Sequence, residues 1–463
     1  MQEILEAAPE VIIPAEPVVL YDVATLINAI YQITIEPTKN SNVPKRIVKK
    51  LRPLLKGQPR LAYDDEDIYL DMLLYIMKTL KLFKYTQLPF ENAKPYLAPS
   101  SYLSEWSQLD AVEQTRVLLE IWPFNYTWTE VNRFVADNYS WGYAYGSHTL
   151  KMRQVLLDHL AKRTPGQWYS LEYLLKEIWD ANPSFAAHPL RPAYGRNGSR
   201  VTSQTYEQWL ADNALIFLNM FFSTILELGI ADFGHEPIKE EKLLPFKQTG
   251  FRLTELGQQA LIKTRAKAKT KNPKEKEVVL EKAVEHKKAD APRKSLIVQP
   301  NYEIMLLEPD FPILYKLLPF TQIKQLQMVS TLLLTQSALL KGMESGPGID
   351  EILKVLTEAS HKELPQNITY TLRDWAKQYK RATVTQVILL ELPNEEVTSS
   401  LSKNATLLKM DVSQIAPRIL AIPFDSAGSV NYQSIRQVLQ KENVTADFLV
   451  PESRSARYAS YYD

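Results

Sequence analysis

Three groups of cations in this chain are spaced so that they could hold a polyanion. If the segment after Pro44 is helical, Lys45, Lys49 and Arg52 project away from Ile47 and Leu51, which share the opposite face. Arg191, Arg196 and Arg200 fall in a loop bearing proline and glycine, with Tyr194 and Asn197, where guanidinium groups could reach a phosphate backbone or a minor groove. Arg373, Lys377 and Lys380 lie across a helix from Ile368, Leu372, Trp375 and Tyr379. The chemistry on offer is electrostatic, because each phosphate neutralised by a cation adds a salt-dependent increment to affinity. A solvated basic face is an equal reading of the first and third groups, and a plain surface loop outweighs phosphate binding for the second.

Two further groups could touch nucleic acid. Trp141, Tyr143 and Tyr145 alternate as strand residues do and could stack on unpaired bases, although packing between domains is the commoner use of such aromatics. Lys263, Lys267, Lys269 and Lys271 could tether the chain to DNA, with a solubilising linker as the favoured reading.

Covalent and metal chemistry lack a local motif. The six histidines, His148, His159, His188, His235, His286 and His361, form no His-Glu-x-x-His or other close metal pair. There is no cysteine, so thiolate nucleophiles, thiolate metal sites and disulfides are excluded. Among the 14 glycines there is no Gly-x-x-x-x-Gly-Lys-Ser/Thr phosphate loop and no Gly-x-Ser-x-Gly elbow. The run Asp64-Asp65-Glu66-Asp67 could hold a divalent cation, but opening a helix needs nothing more of it. A nuclease built from distant carboxylates stays open as a minor reading. The expectation is a protein with no cofactor, no metal and no enzymatic activity.

The elements that would position these residues come from periodicity. Val23, Leu26, Ile27 and Ile30 give one apolar stripe over Tyr21 to Tyr31. The short helix after Pro44 should end near Arg52 because Pro53 follows, and Lys39 to Arg60 holds eight basic residues and no acidic one. A third helix carries Leu70, Leu73, Leu74, Met77 and Leu80 on one side, and an extended stretch runs from Leu82 to Leu97. The layout repeats: a helix over Leu150 to Leu160, a turn at Thr164-Pro-Gly, a helix capped by Ser170, a helix over Tyr206 to Leu228, and a wing within Gly229 to Leu253. Thr254 caps a closing helix. Two winged-helix-like units are therefore expected.

The 463 residues and a formal charge of +1 allow several domains and no global field, so polyanion binding must come from local patches. The reading is an α+β, helix-rich chain. It has an extended N-terminal segment (residues 1–20), winged-helix-like domains over 21–146 and 147–262, a basic linker over 263–294, a small mixed domain over 295–450, and a tail over 451–463. The linker holds twelve basic and five acidic residues with few apolar ones. In the mixed domain, Leu296 to Leu307 reads as two strands around Gln299-Pro-Asn-Tyr302, and Val384 to Leu392 as another β-rich run. The acidic, proline-bearing N-terminus lacks the pattern of a signal peptide, and the apolar run Ala214 to Leu226 is too short to cross a bilayer. A cytoplasmic location with no membrane partner is expected.

Several segments resemble a known family. Leu296-Ile-Val-Gln-Pro-Asn-Tyr-Glu-Ile304, Leu317 to Phe320, Thr335 to Gly342, Ile349 to Leu356 and above all Leu364-Pro-Gln-Asn-Ile-Thr-Tyr-Thr-Leu-Arg-Asp-Trp375 resemble the bacterial helicase-associated domain. That domain is similar to the N-terminal region of XPB-type DNA repair helicases. The likeness is clearest over Ser295 to Leu392, and Phe251 to Gly257 and Leu73 to Phe83 look like the winged-helix part that precedes it in long members. The resemblance implies binding of DNA, double- or single-stranded, and assistance to a helicase or repair protein. The competing expectation is a protein-protein adaptor whose winged-helix units serve as docking surfaces.

Overall fold

A computed structural model describes residues 2–38, 43–58, 68–87, 94–125, 127–128, 130, 146–187, 205–237, 249–267, 294–380, 382, 387–424, 430–445 and 447. The chain is α+β and rich in helix, as its periodicity predicts. It forms two compact units, one of Met1–Leu88 with Asn92–Tyr379, the other of Pro89–Glu91 with Lys380–Asp463.

The first unit is organised by its first long helix. Strand β1 (Val11–Ile13) leads into α1 (Val18–Gln32), which starts three residues earlier than the periodicity suggests. The sequence marks one apolar stripe on α1, yet every residue from Val19 to Ile30 is buried. Asp22, Thr25 and Asn28 are buried with hydrogen-bond partners. Asn28 Nδ2 donates to Leu318 O and to Thr321 O, both at 2.8 Å. Gln32 Nε2 donates to Pro319 O at 2.9 Å, and Thr25 Oγ1 donates to Tyr21 O. Tyr21 stacks on Phe311 with ring centres 5.5 Å apart. The helix expected to serve a small N-terminal domain is thus also a core element for residues around 311–321.

Asp22 on the same helix holds the segment that follows α2 (Lys45–Leu51). Its Oδ1 accepts from Lys56 N and its Oδ2 from Gly57 N, both at 2.8 Å, and Tyr69 of α3 (Tyr69–Thr79) donates its hydroxyl to Oδ2 at 2.6 Å. Burial pushes the Asp22 carboxyl above its ordinary range, and the three hydrogen bonds work against that push. Gly57 is required by space, since a Cβ there would run into the Tyr69 ring. Strands β2 (Phe83–Thr86) and β3 (Tyr96–Pro99) then pair antiparallel within the stretch read as extended. The short helix α4 (Tyr102–Trp106) and α5 (Ala111–Ile121) follow. Trp106 Nε1 donates to the buried Tyr315 hydroxyl at 2.7 Å, a second tie to the later sequence.

The second layout matches its expected order with two additions. Helix α6 (Gly146–Leu160), strand β4 (Trp168–Ser170), α7 (Leu171–Ala181), the short α8 (Ser184–Ala187) and α9 (Tyr206–Met220) are followed by β5 (Ala231–His235) and β6 (Thr249–Leu253). Ser170 caps α7 by accepting from Tyr173 N, and Thr254 accepts from Gly257 N at 2.9 Å to open α10 (Glu255–Lys267). Helix α9 does not run on as an α-helix to Leu228, because Phe221–Ile225 form a π turn. The N-terminal segment is no free extension. Strand β1 pairs antiparallel with β5, giving a four-stranded sheet in the order β1-β5-β6-β4, and Leu5 N donates to Trp168 O. Helix α10 also carries the backbone past residue 262 and into the stretch expected as linker.

Beyond residue 294 the hairpin β7 (Leu296–Val298) and β8 (Glu303–Leu306) turns at Gln299 to Tyr302, as read. After α11 (Phe311–Leu317) come β9 (Gln322–Gln325) and β10 (Ser330–Leu333), completing a sheet ordered β7-β8-β10-β9. Helices α12 (Gln336–Glu344), α13 (Ile349–Ala359) and α14 (Gln366–Lys377) close the unit. The β-rich run read as part of the same domain belongs to the second unit. There β11 (Val387–Glu391) pairs with a later strand of that unit, across α15 (Glu395–Ser402) and α16 (Ala405–Leu408). Strands β12 (Ser413–Ala416) and β13 (Ile419–Pro423) give the order β11-β13-β12, and α17 (Tyr432–Lys441) follows. Leu390, Leu401, Leu420, Ile422 and Ile435 form a core of their own. No helix among the described residues is long and apolar enough to cross a membrane.

Two substitutions test the role of α1. Asn28→Ala strands two buried carbonyls and should lower the unfolding free energy by about 1–3 kcal/mol. Asp22→Ala removes three hydrogen bonds at once and should cost about 2–4 kcal/mol, with Asp22→Asn costing less because it keeps one acceptor. Urea denaturation followed by tryptophan fluorescence reads both, and unchanged midpoints would show that these contacts are not needed.

Candidate nucleic-acid interface

Helix α2 presents the clearest basic surface. Pro44 stands at its N-cap with extended backbone, and Ile47 and Leu51 are buried one turn apart. That packing turns Lys45, Arg46, Lys49 and Lys50 outward, and all four are exposed. None of the four is in an ion pair among the described residues. Four cations on two turns, unpaired among the described residues, make a local positive potential despite the formal charge of +1.

Arg52 does not belong to this face. Its guanidinium lies over the Tyr69 ring, 5.4 Å from the centre, and donates to Gly57 O. The backbone of Arg52 is still helical and its N–H donates to Val48 O, before a 3-10 turn over Arg52–Leu54, so it is the side-chain contact that takes the guanidinium from the line of Lys45 and Lys49. It therefore packs against the turn that Asp22 holds. Lys56 is likewise engaged, ion-paired with Glu16 at 2.6 Å and over the Tyr21 ring.

Two of the third expected group, Arg373 and Lys377, lie on α14 but are not left uncompensated. Ile368 and Leu372 are buried, with Trp375 and Tyr379 half-buried on the same side, and Arg373 and Lys377 point outward as read. Arg373 Nη1 lies 2.9 Å from Asp350 Oδ1, and Lys377 Nζ lies 3.7 Å from Asp374 Oδ1. These exposed pairs are worth little to stability, but each sets a carboxylate against a cation of the face. Lys380 is exposed and falls in the second compact unit.

Helix α14 also meets the β7–β8 turn. Tyr302, with a left-handed φ of 70°, stacks on Trp375 with ring centres 5.4 Å apart. Its hydroxyl is 3.2 Å from Thr371 Oγ1, and Asn367 Nδ2 donates to Pro300 O at 3.0 Å. Gln299-Pro-Asn-Tyr302 and Pro365-Gln-Asn367 with Trp375, two of the segments that carry the family resemblance, are one docking contact.

Other expectations fall elsewhere. Arg191, Arg196 and Arg200 lie outside the described residues, as do Trp141, Tyr143, Tyr145, Lys269, Lys271 and the run Asp64 to Asp67. Lys263 and Lys267 are in α10. Among the described residues no three His, Asp or Glu side chains converge as a metal site. His159 is packed against Glu177 at 3.3 Å, and burial lowers its pKa. Burial alone would raise the Glu177 carboxyl, but Arg163 and His159 hold it below the ordinary range.

The sequence reading passed over one more set of exposed side chains. Lys78, Lys81 and Lys84 occur with Tyr75, Tyr85 and Tyr102 around the end of α3, the β2–β3 hairpin and the start of α4. Tyr75 and Lys78 sit three residues apart, off the buried stripe of Leu73, Ile76 and Met77, and that spacing was the available signal.

Residues 296–416 match the family described as the helicase conserved C-terminal domain. The matched stretch is well under half of the chain, and it takes in both the end of the first unit and the start of the second. No curated protein gives a significant match. The chain thus carries a helicase-associated domain, which points to a helicase-related role for it.

Proposed function

We propose that this protein is a non-enzymatic DNA-binding accessory factor of a helicase or DNA repair assembly, and that it binds mainly through phosphates. The observation that carries the reading is the face of α2, where Lys45, Arg46, Lys49 and Lys50 are exposed without carboxylate partners among the described residues. A helicase-associated domain on the same chain supplies the context. In this reading α1 to α3 with the β2–β3 hairpin, and α6 to α9 with β5 and β6, act as winged-helix units. Such units set a helix against the duplex while basic side chains hold the backbone. The segment from residue 295 is read as similar to the N-terminal region of XPB-type repair helicases. Strand separation driven by ATP belongs to a partner, because the sequence has no phosphate loop.

A second reading, an adaptor that docks proteins, draws on the second unit. Leu389 and Ile415 are 57% and 58% exposed there, on edge strands of its sheet. Exposed apolar side chains of this size suit a protein partner better than a polyanion.

Fluorescence anisotropy with a labelled duplex separates the two. Binding should weaken steeply between about 50 and 200 mM salt, with a log–log slope of about −0.9 for each phosphate contact. Lys45→Glu with Lys49→Glu should lower affinity at least about tenfold and flatten that slope by about two contacts. Arg373→Ala should cost less than about threefold, because Asp350 already offsets its charge. Binding that is absent, or indifferent to salt and to the α2 variant, would remove the DNA reading.

A further inference from the structure

We propose that the face made by the end of α3, the β2–β3 hairpin and the start of α4 binds single-stranded DNA, with Tyr75 and Tyr85 stacking on unpaired bases and Lys78, Lys81 and Lys84 holding the adjoining phosphates. The proposal rests on the DNA-binding reading above and assigns that reading a strand preference and a second contact surface.

Apart from Tyr96 of β3, which is half-buried, the aromatic side chains of this region are either buried or exposed. Tyr69, Phe83 and Trp106 are at most 8% exposed, whereas Tyr75, Tyr85 and Tyr102 are 44%, 42% and 37% exposed. A lysine is close to each exposed ring in the sequence, and one is close in space. Lys78 is one helical turn from Tyr75, Lys84 precedes Tyr85 in β2 with its side chain on the other face of the strand, and Lys81 Nζ lies 5.1 Å from the centre of the Tyr102 ring. The described acid between Tyr69 and Tyr102 is Asp71, so the strip is net positive.

The backbone at Lys81 is the second observation. Its φ is 54°, the left-handed position just past a helix that glycine or asparagine usually takes. Leu82 N donates to Met77 O at 2.8 Å and Lys81 N to Lys78 O at 3.0 Å, which fixes that ending. Ser100 Oγ accepts from Tyr102 N at 3.1 Å and donates to Lys81 O, tying the helix end to the start of α4. A long cation thus occupies a strained position where a glycine would cost less, and the surrounding hydrogen bonds hold it over an aromatic ring.

The side chains present favour an unpaired strand over a duplex. Base edges in the major groove are read in bidentate contacts by Arg, Lys, Asn and Gln, and α3, Tyr69–Thr79, offers only Lys78 of these. Aromatic rings interleaved with cations instead recognise exposed base faces and backbone, and base faces are available only where pairing is lost. A factor that works beside a helicase meets such strands where the duplex opens.

The test is anisotropy with a labelled oligonucleotide of about 15 nucleotides, alone and as its duplex, using the full chain. Tyr75→Ala with Tyr85→Ala should weaken single-strand binding at least about tenfold and leave duplex binding within about twofold. Tyr75→Phe with Tyr85→Phe should bind the single strand like the parent, since stacking does not use the hydroxyl. Lys78→Ala with Lys84→Ala should flatten the salt dependence on the single strand, which keeps the proposal testable if the alanine tyrosine variant folds poorly. If the parent binds duplex and the α2 variant loses it, but the tyrosine and lysine variants bind the single strand unchanged, this proposal fails and the DNA reading stands. Equal losses on both ligands also overturn it. If the parent binds neither ligand, both readings fall.

Discussion

Helix α1 carries Asp22, Thr25 and Asn28 among apolar neighbours, and all three are buried because the chain brings a hydrogen-bonding partner to each. Burying a carboxylate or an amide without such partners is costly, so these contacts favour the neighbours that supply them. Asn28 reaches the carbonyls of Leu318 and Thr321, nearly three hundred residues along the chain. Asp22 reaches the turn behind α2 and the hydroxyl of α3. One helix therefore fixes both the element that bears the basic face and the part of the chain that begins the helicase-associated match.

That arrangement sorts the cations into two populations. Arg153 is buried, donating to Glu130 Oε1 and Oε2 at 2.9 Å and to the carbonyls of Trp122 and Asn125. Arg163 lies between Glu3 and Glu177, and Arg252 pairs with Asp232 across β5 and β6. Guanidinium groups paired with carboxylates in this way are committed to the fold, Arg153 and Arg163 buried and Arg252 partly exposed. The lysines of α2 differ because Ile47 and Leu51 turn them outward, where no carboxylate of the described residues reaches them. A neutral total charge conceals this segregation.

What could be read in advance depended on the range of the interaction. The hairpin around Gln299 to Tyr302, the caps at Ser170 and Thr254, the helix ending at Leu51 and the two sides of α14 all rest on neighbours within a few residues, and all are present. The second face of α1 was hidden because its partners Leu318, Thr321 and Tyr69 are distant in sequence. The same reason explains the pairing of β1 with β5, the inward turn of Arg52 toward Tyr69, and the offset of Arg373 by Asp350. The β-rich run over Val384 to Leu392 was legible by itself, whereas its pairing with β13 depends on residues farther along the chain. The Lys81 and Tyr102 pair escaped notice because a left-handed lysine is announced by backbone geometry and not by residue type.

Native-state hydrogen exchange in low denaturant tests most directly whether α1 joins the two stretches of chain into one structure. Amides of residues 18–32 and of residues 311–344 should lose protection together, in a single cooperative opening. Exchange of residues 311–344 at lower denaturant while α1 stays protected would contradict the account, because α1 would then be the core of an independent N-terminal domain.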